Sequence, residues 1–184
     1  VVNQQPSSRW YSGSGIYRDV KLSVTDKVNV AKYGTTITSP KLEEQQNGAV
    51  DTLVKSRIVN QDDQAHSVYA EYEIVDQNGQ VVSEKVRSEV QSVLAGQEIN
   101  LSHTLHVEKP TLWDVKTNNP ALYTLYTRVY RDSQLVDVQK ERFGYRYLNW
   151  TPEGGFFLNG VATKFHGVSL HHDHGALGAE ENYK

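Results

Sequence analysis

The sequence contains no cysteine and no methionine in 184 residues. Without thiols, disulfide scaffolds, thiolate zinc sites and cysteine nucleophiles are excluded together. Because position 1 is not Met either, we expect Val1 to be an internal residue of a longer polypeptide. No window approaches the roughly 20 apolar residues of a transmembrane helix, and no charged segment followed by an apolar one marks a signal peptide.

A strong charge of one sign is also missing. The chain carries 19 Lys and Arg against 22 Asp and Glu, for a net charge of −3, so nothing suggests nucleic acid as a partner. At about 100–200 residues per domain, the length allows one domain, alone or with pieces of its neighbours. The absence of cysteine favours a secreted or cell-surface bacterial protein, while a cytoplasmic location stays open.

The residues that are abundant favour strands. Eleven Tyr accompany many Val and Thr, and all three types are enriched in strands. Apolar and polar residues alternate in seven segments: 17–24, 50–59, 68–75, 81–90, 97–107, 122–130 and 135–143. Turn signals, including the Asn78-Gly79 pair, recur about every 10 residues, which is typical of a β-sandwich. The pattern predicts an all-β fold, and no segment has a convincing helical period.

Alternation also predicts the core of this sandwich, because residues two apart on a strand share a face. The expected core members are Leu53, Ile58, Tyr72, Ile74, Val93, Leu101, Leu105, Tyr123, Leu125 and Tyr126. Some of the last three must face outward, since alternation cannot bury neighbouring residues on one side.

One stretch near the end of the chain invites a metal-site interpretation. His171, His172, Asp173 and His174 are consecutive. On a strand, adjacent side chains point to opposite faces, so each face would offer two ligands where zinc needs three or four. Three interpretations therefore stand beside each other: a metal site, which the spacing disfavours, a polar loop without a task, and a fragment of a substrate site.

Four stretches, taken together in their order and spacing, resemble glycoside hydrolase family 2 and in particular its β-galactosidase branch. An R-W-x-x-G-x-G-I-Y-R-x-V pattern is matched by Arg9, Trp10, Gly13, Gly15, Ile16, Tyr17, Arg18 and Val20. An L-W…N-P-x-L-Y-x-L pattern and an F-G-F/Y-R pattern are matched by Leu112, Trp113, Asn119, Pro120, Leu122, Tyr123, Leu125, Phe143, Gly144, Tyr145 and Arg146. A hairpin motif and a His-rich tail are matched by Leu158, Asn159, Gly160, Gly167, Val168, His171, His172, Asp173, Gly175, Leu177 and Gly178.

The resemblance implies three parts. Residues 1–26 would be the end of a sugar-binding jelly-roll domain, and residues 27–146 an immunoglobulin-like β-sandwich. Residues 147–184 would supply the opening hairpin and first strand of a (β/α)₈ catalytic barrel, a fold that needs about 250 residues.

The resemblance also implies a retaining glycosidase whose two catalytic Glu residues lie about 5 Å apart. Both would be on later barrel strands, so no catalytic residue is expected in this chain, and the adjacent Glu180 and Glu181 are not that pair. His171 and Asp173 would line the glycone pocket, since a carboxylate accepts hydrogen bonds from vicinal sugar hydroxyls and a neutral imidazole donates one. Some family members use Mg²⁺ or Na⁺, but no residue here is identified as a ligand, so we expect no cofactor and no metal.

The hypothesis is therefore a mainly scaffolding fragment of an enzyme that hydrolyses terminal β-D-galactosyl residues, with a β-galactoside bound by the complete parent. The alternative is a freestanding immunoglobulin-like binding or adhesion module of a bacterial surface protein. Strands within residues 1–25 and 155–170 would lack their natural partners. Such strands are expected to be mobile, or to pair with the sandwich or with another copy of the chain.

Overall fold

The computed structural model describes residue 16 and residues 19–116 and 120–169. The chain divides into two units, one formed by Val1–Val24 with Phe165–Lys184 and the other by Thr25–Lys164. The strand expected at residues 17–24 is wrong for its described part, because residues 19–24 form no strand. Its apolar members Val20, Leu22 and Val24 are each more than 80% exposed, so the alternating pattern there buries nothing within the described residues.

The described residues of the unit Thr25–Lys164 form eleven strands and one short helix. The first antiparallel sheet has the order β1-β2-β6, formed by β1 (Val28–Thr38), β2 (Ala49–Asn60) and β6 (Glu98–Glu108). The second sheet is formed by β3 (His66–Val75), β4 (Val86–Arg87), β5 (Gln91–Val93), β7 (Tyr123–Arg131) and β8 (Gln134–Phe143). Its strand order is β4-β3-β7-β8, and β5 also pairs with β3. The remaining elements are the helix α1 (Leu42–Gln45) and a third sheet of β9 (Leu148–Thr151), β10 (Gly155–Leu158) and β11 (Val161–Ala162).

The two larger sheets form an immunoglobulin-like sandwich, which confirms the predicted fold class. Strands β1, β2 and β6 take the places of strands A, B and E, and β3, β7 and β8 those of C, F and G. Tyr123 stands at the start of the F-equivalent strand, where its Oη accepts a hydrogen bond of 2.9 Å from the backbone N–H of Thr111. That contact resembles the tyrosine corner of immunoglobulin folds.

The core lies between the two sheets and follows the alternation of the strands. Val50, Val54 and Ile58 of β2 are fully buried and belong to one cluster with side chains of the facing sheet. Eight of the ten expected core residues are buried: Ile58, Tyr72, Ile74, Val93, Leu101, Leu105, Tyr123 and Leu125. Strand pairing therefore places the apolar alternates of both sheets on a shared inner face.

Two expected core residues, Leu53 and Tyr126, are only partly buried. Their neighbours on β2 and β7 occupy the inward positions, so alternation turns both side chains to the outer faces. On β2 the inward positions include the polar Thr52 and Ser56, which are fully buried. The apolar side chain of Leu53 therefore suggested the wrong face, and this residue lies on the outer face of β2.

The expected strand at residues 81–90 is also wrong in its extent. The turn before it forms as predicted, with Gly79 at φ 80° and Asp76 N–H donating to the Gln80 carbonyl at 2.9 Å. Beyond the turn, the N–H groups of Ile74 and Ala70 donate to the hydroxyls of Ser83 and Ser88, at 2.9 and 3.0 Å. Since side-chain oxygens take the places of backbone carbonyls at two positions, pairing with β3 in this region is limited to an isolated Val75–Val81 bridge and the short β4.

At one end of the sandwich, three side chains form what we call the His66 clasp: His66, Asp62 and Asp132. The imidazole Nδ1 lies 2.8 Å from Asp132 Oδ2, and Nε2 lies 3.1 Å from Asp62 Oδ2. Asp62 also accepts a hydrogen bond from Lys27 Nζ at 2.9 Å. The clasp therefore ties the β2–β3 loop to the β7–β8 turn and to the segment before β1.

The two carboxylates set the charge of this histidine. Hydrogen bonds to Asp132 and Asp62 raise the pKa of His66 above its ordinary value, while the nearby Arg131 opposes this rise. The pKa of Asp132 is lowered, first by the Ser67 N–H and then by His66. That of Asp62 is lowered by Lys27 and His66. The clasp is therefore strongest when the imidazole is protonated and both carboxyls are ionised.

We expect Leu101→Ala to lower the free energy of unfolding by about 2–5 kcal/mol, because it leaves a cavity in the core. Leu94→Ala is the matched control, since Leu94 is 62% exposed where Leu101 is fully buried, and it should change stability by about 0.5 kcal/mol or less. Urea unfolding followed by circular dichroism measures both. Equal losses for the two variants would contradict the described core.

We expect the stabilisation by His66 to depend on pH. A raised folded-state pKa means that the contribution is fully present below the unfolded value of about 6.5 and is lost as pH rises through the folded pKa. The lowered pKa values of Asp62 and Asp132 remove it again in acid, as pH falls below about 3.9. The difference in unfolding free energy between the wild type and His66→Gln should therefore be largest between about pH 5 and 6.5.

Denaturant unfolding of both proteins at closely spaced pH values tests this pH dependence. Asp132→Asn, which leaves His66 with one carboxylate, should show a smaller pH dependence than the wild type. Parallel stability curves for the wild type and His66→Gln would show that the clasp does not titrate.

Candidate functional site

Three of the sequence motifs meet at the other end of the sandwich. Leu112 forms a parallel bridge with Tyr145, and the backbone N–H of Trp113 donates to the Tyr145 carbonyl at 2.8 Å. This brings the L-W segment of the loop before β7 against the F-G-Y-R segment that follows β8. We call the group formed by Trp113, Gly144, Tyr145, Tyr147 and Asn159 the junction cluster.

Asn159 joins the third motif to this cluster. Its Nδ2 donates to the Trp113 carbonyl at 2.9 Å, and its Oδ1 accepts from the Tyr147 N–H at 3.1 Å. Its own N–H donates to the Tyr147 carbonyl at 3.0 Å. Asn159 and Gly160 have positive φ values of 50° and 76°, the conformation that a two-residue hairpin turn between β10 and β11 requires.

Tyr145 anchors the cluster in the core. It is 1% exposed, and its Oη shares a 2.8 Å hydrogen bond with Thr52 Oγ1 of β2. The rings of Tyr123 and Phe143 both lie edge-on to its ring, with centroids 5.0 and 5.2 Å from its own. Burial raises the pKa of the Tyr145 phenol far above its usual range, so this hydroxyl stays neutral and acts as a structural contact.

Gly144 has little room beside Trp113. A Cβ built at this position would lie 3.0 Å from Trp113 Cβ and 3.3 Å from the Ala121 carbonyl oxygen. The close approach lets the segment after β8 lie against the indole. The Arg146 guanidinium then stands over that ring, 5.0 Å from its centroid. The L-W and F-G-Y-R motifs are therefore complementary in shape as well as adjacent in space.

A groove with a volume of about 720 Å³ opens next to the junction cluster. We call it the basic groove, and it is lined by Ile37, Thr38, Ser39, Pro40, Leu42, Trp113, Leu122, Arg142, Phe143, Gly144, Tyr145 and Arg146. The lining includes two arginines and no acidic residue. It could hold a group with a negative charge and an apolar body.

Of the expected glycone-pocket residues, neither lies in the described part of the chain. His171 and Asp173 are outside it, as are Arg9, Trp10 and Asn119 of the other motifs. Within the described residues, no group of three or more His, Asp or Glu side chains is placed to hold a metal ion. Across residue 16 and residues 19–116 and 120–169, no helix has the length and apolar character needed to cross a membrane.

Sequence reasoning missed Thr52, Ser39 and Arg142 as members of this region. Thr52 is a polar residue in an apolar alternation, and that misfit is the signal that could have identified it. Nothing local distinguishes Arg142 from the other charged residues of β8. It belongs to the site only because β8 ends beside the loop that carries Trp113.

The sequence of this chain is similar to those of known proteins. The family model described as Glycosyl hydrolases family 2 matches residues 19–146. The protein named β-galactosidase BoGH2A from Bacteroides ovatus is 41% identical over 179 residues, which cover 97% of this chain and 20% of that protein. A β-glucuronidase from Bacteroides fragilis is 29% identical over 164 residues, covering 89% of this chain and 23% of that protein.

A solved structure supports the same relationship. The crystal structure of a glycosyl hydrolase family 2 member from Bacteroides cellulosilyticus matches with a TM-score of 0.82 at 32% identity, covering 94% of this chain and 21% of that one. The sandwich and its motif junction are thus a fold that this chain shares with a solved structure of a glycosyl hydrolase family 2 member. This chain belongs to glycosyl hydrolase family 2, and it spans about 20% of the length of its β-galactosidase relative.

We expect Asn159→Asp to loosen the β10–β11 hairpin. The carboxylate keeps an acceptor for the Tyr147 N–H but loses the donor to the Trp113 carbonyl, at a cost of about 1–3 kcal/mol. Asn149→Asp is the matched control, because Asn149 Oδ1 accepts the Trp150 N–H at 2.8 Å at an exposed position. Amide hydrogen exchange across β9–β11 should quicken in the first variant and not in the second. Equal exchange in both would show that the Trp113 contact does not hold the hairpin.

We expect Gly144→Ala to destabilise the protein by about 1–3 kcal/mol, because Trp113 must shift to admit a methyl group. In Gly48→Ala the nearest atom to the new Cβ would be the Gln45 carbonyl oxygen at 3.9 Å, so this control should be nearly neutral or slightly stabilising. Thermal unfolding midpoints compare the two. A neutral Gly144→Ala would contradict the tight packing of the junction cluster.

Proposed function

We propose that this chain is the connecting part of a retaining family 2 glycosidase that hydrolyses terminal β-D-galactosyl residues. In this proposal the sandwich is a scaffold, and the catalytic acid/base and nucleophile are two Glu residues beyond Lys184. The observation that carries the scaffold role is the junction cluster, where Asn159 hydrogen-bonds to Trp113 and Tyr147. A hairpin anchored in this way has a defined position against the loop that carries Trp113.

The choice of galactoside is supported by similarity. The relative named β-galactosidase is 41% identical to this chain over 179 residues, and the His171-His172-Asp173 and Gly175-Ala176-Leu177-Gly178 combination resembles the β-galactosidase branch. A β-glucuronidase is the second candidate, since a relative of that name is 29% identical over 164 residues. The two sugars differ in the configuration of the C4 hydroxyl and at C6, which is a hydroxymethyl group in galactose and a carboxylate in glucuronic acid. A pocket built for one therefore binds the other poorly.

We further propose that His171 and Asp173 bind hydroxyls of the terminal sugar. An ionised carboxylate accepts two hydrogen bonds from neighbouring hydroxyls, and a neutral imidazole donates one. The chain alone should be catalytically silent, because glycoside hydrolysis by retention needs both carboxyl groups and a pocket that holds the sugar between them. One or two exposed hydrogen bonds also fall short of the cost of association.

The substrate prediction is tested on the intact polypeptide that contains this chain. We expect kcat/KM for a chromogenic β-galactoside to exceed that for the matching β-glucuronide by about a hundredfold or more, because an unpaired carboxylate would be buried in the wrong pocket. The reverse ratio would assign the enzyme to the second candidate. Hydrolysis of neither sugar would overturn the proposed function, and turnover by residues 1–184 alone would overturn the scaffold role.

The role of Asp173 is tested in the same assay. Asp173→Ala should lower kcat/KM by about 10- to 100-fold, as expected for the loss of charge-assisted hydrogen bonds to the substrate. Glu181→Gln is the control in the same tail, and it should leave kcat/KM unchanged because no catalytic role is proposed for Glu181. An unaffected Asp173→Ala enzyme, or an inactive Glu181→Gln enzyme, would refute this assignment.

A further inference from the structure

The basic groove holds two positive charges that lie outside the described ion pairs. Three other arginines are paired with acids: Arg57 with Glu98 at 2.9 Å, Arg128 with Glu73 at 3.2 Å and Arg131 with Asp26 at 2.8 Å. Arg87 instead lies over the Tyr69 ring, 3.6 Å from its centroid. Within residue 16 and residues 19–116 and 120–169, Arg142 and Arg146 have no such carboxylate partner. The groove therefore presents two guanidinium groups that lack a counter-charge within the described residues.

The position of Arg146 is partly fixed before anything binds. Its guanidinium lies over the Trp113 ring, 5.0 Å from the ring centroid, and the backbone of Trp113 is itself held by the Asn159 contact to the Trp113 carbonyl. A planar guanidinium on an aromatic face keeps its N–H groups directed sideways, where they can meet a carboxylate in a bidentate pair. Less side-chain entropy is then lost on binding than for a free arginine.

The lining also has an apolar part. Ile37, Leu42, Trp113, Leu122 and Phe143 contribute to it, and Tyr145 adds a ring whose hydroxyl is engaged by Thr52. A free inorganic anion would leave this apolar surface uncovered. The chemistry that fits is a carboxylate carried on an apolar stem, as in a Glu or Asp side chain next to a hydrophobic residue.

We propose that the basic groove binds an acidic side chain from the catalytic part of the same polypeptide, a docking contact that rests on the proposed function. Two observations favour this occupant. The chain leaves the sandwich at Arg146, which is itself part of the groove lining. The chain also spans only 20% of the length of its β-galactosidase relative, and under the proposed function the catalytic part supplies the acidic side chain.

Photo-cross-linking in the intact polypeptide tests the occupant. A benzoylphenylalanine placed at Pro40, an exposed residue of the groove lining, should cross-link to a segment beyond residue 184 that contains Asp or Glu. The same probe at Lys85, exposed on the second sheet, is the control position and should not reach that segment. Cross-links confined to residues 1–184, a segment without an acid, or a covalent dimer of two polypeptides would each overturn the proposal.

Charge reversal tests the interaction itself. R142E/R146E should lower the cross-linked yield from Pro40 by about tenfold or more, since each lost charge-assisted hydrogen bond weakens the contact and a repulsion replaces it. K55E/K85E makes the same change in net charge away from the groove and should leave the yield unchanged. Equal yields in R142E/R146E and the wild type would overturn the proposal, provided that circular dichroism shows both folded.

The two proposals fail in different ways. An intact wild-type polypeptide that hydrolyses neither sugar, yet cross-links from Pro40 to an acidic segment, would refute the proposed function and leave the docking contact standing. A polypeptide that hydrolyses the galactoside but gives no such cross-link would refute the docking contact alone.

Discussion

The buried phenol of Tyr145 is the contact on which the junction end of the molecule depends. Its hydrogen bond to Thr52 joins residues 93 positions apart in the sequence. Through it, the segment that leaves β8 is fixed against β2, in the opposite sheet. With Tyr145 in place, its backbone carbonyl receives the Trp113 N–H, and Trp113 in turn supports Arg146 and Asn159. A misplaced Tyr145 would therefore disturb the hairpin and the basic groove together.

The two ends of the sandwich are stabilised by different physical means. The junction end relies on aromatic packing and neutral hydrogen bonds, which change little with pH. The opposite end relies on His66 between two carboxylates, whose strength depends on protonation. Proton binding can thus alter the loops at one end while the junction cluster keeps its geometry. In the proposed scaffold role, this separation would keep the contacts of the junction cluster independent of pH.

Membership of glycosyl hydrolase family 2 gives the junction a functional meaning. The residues that carry the family resemblance in the described chain are concentrated where the sandwich ends and the next segment begins. Trp113, Gly144, Tyr145 and Asn159 make contacts that set direction and distance, and none of them is arranged as an acid, a base or a nucleophile. Under the proposed scaffold role, such residues would hold two parts of a large enzyme in register, since small misplacements at an active site are costly.

The sequence by itself determined the fold class, most of the core and the hairpin turns, because alternation and Asn-Gly turns act over a few residues. It also identified the motif residues. His171 and Asp173 lie outside the described residues, so their sugar-binding role stays a prediction. Only the tertiary structure decided that Leu53 and Tyr126 face outward and that serine hydroxyls interrupt the strand after Gly79. It alone brought Arg142 and Arg146 to one groove with Trp113. Those outcomes depend on contacts between residues that are distant in the chain. Such contacts leave no pattern in the local sequence from which they could be predicted.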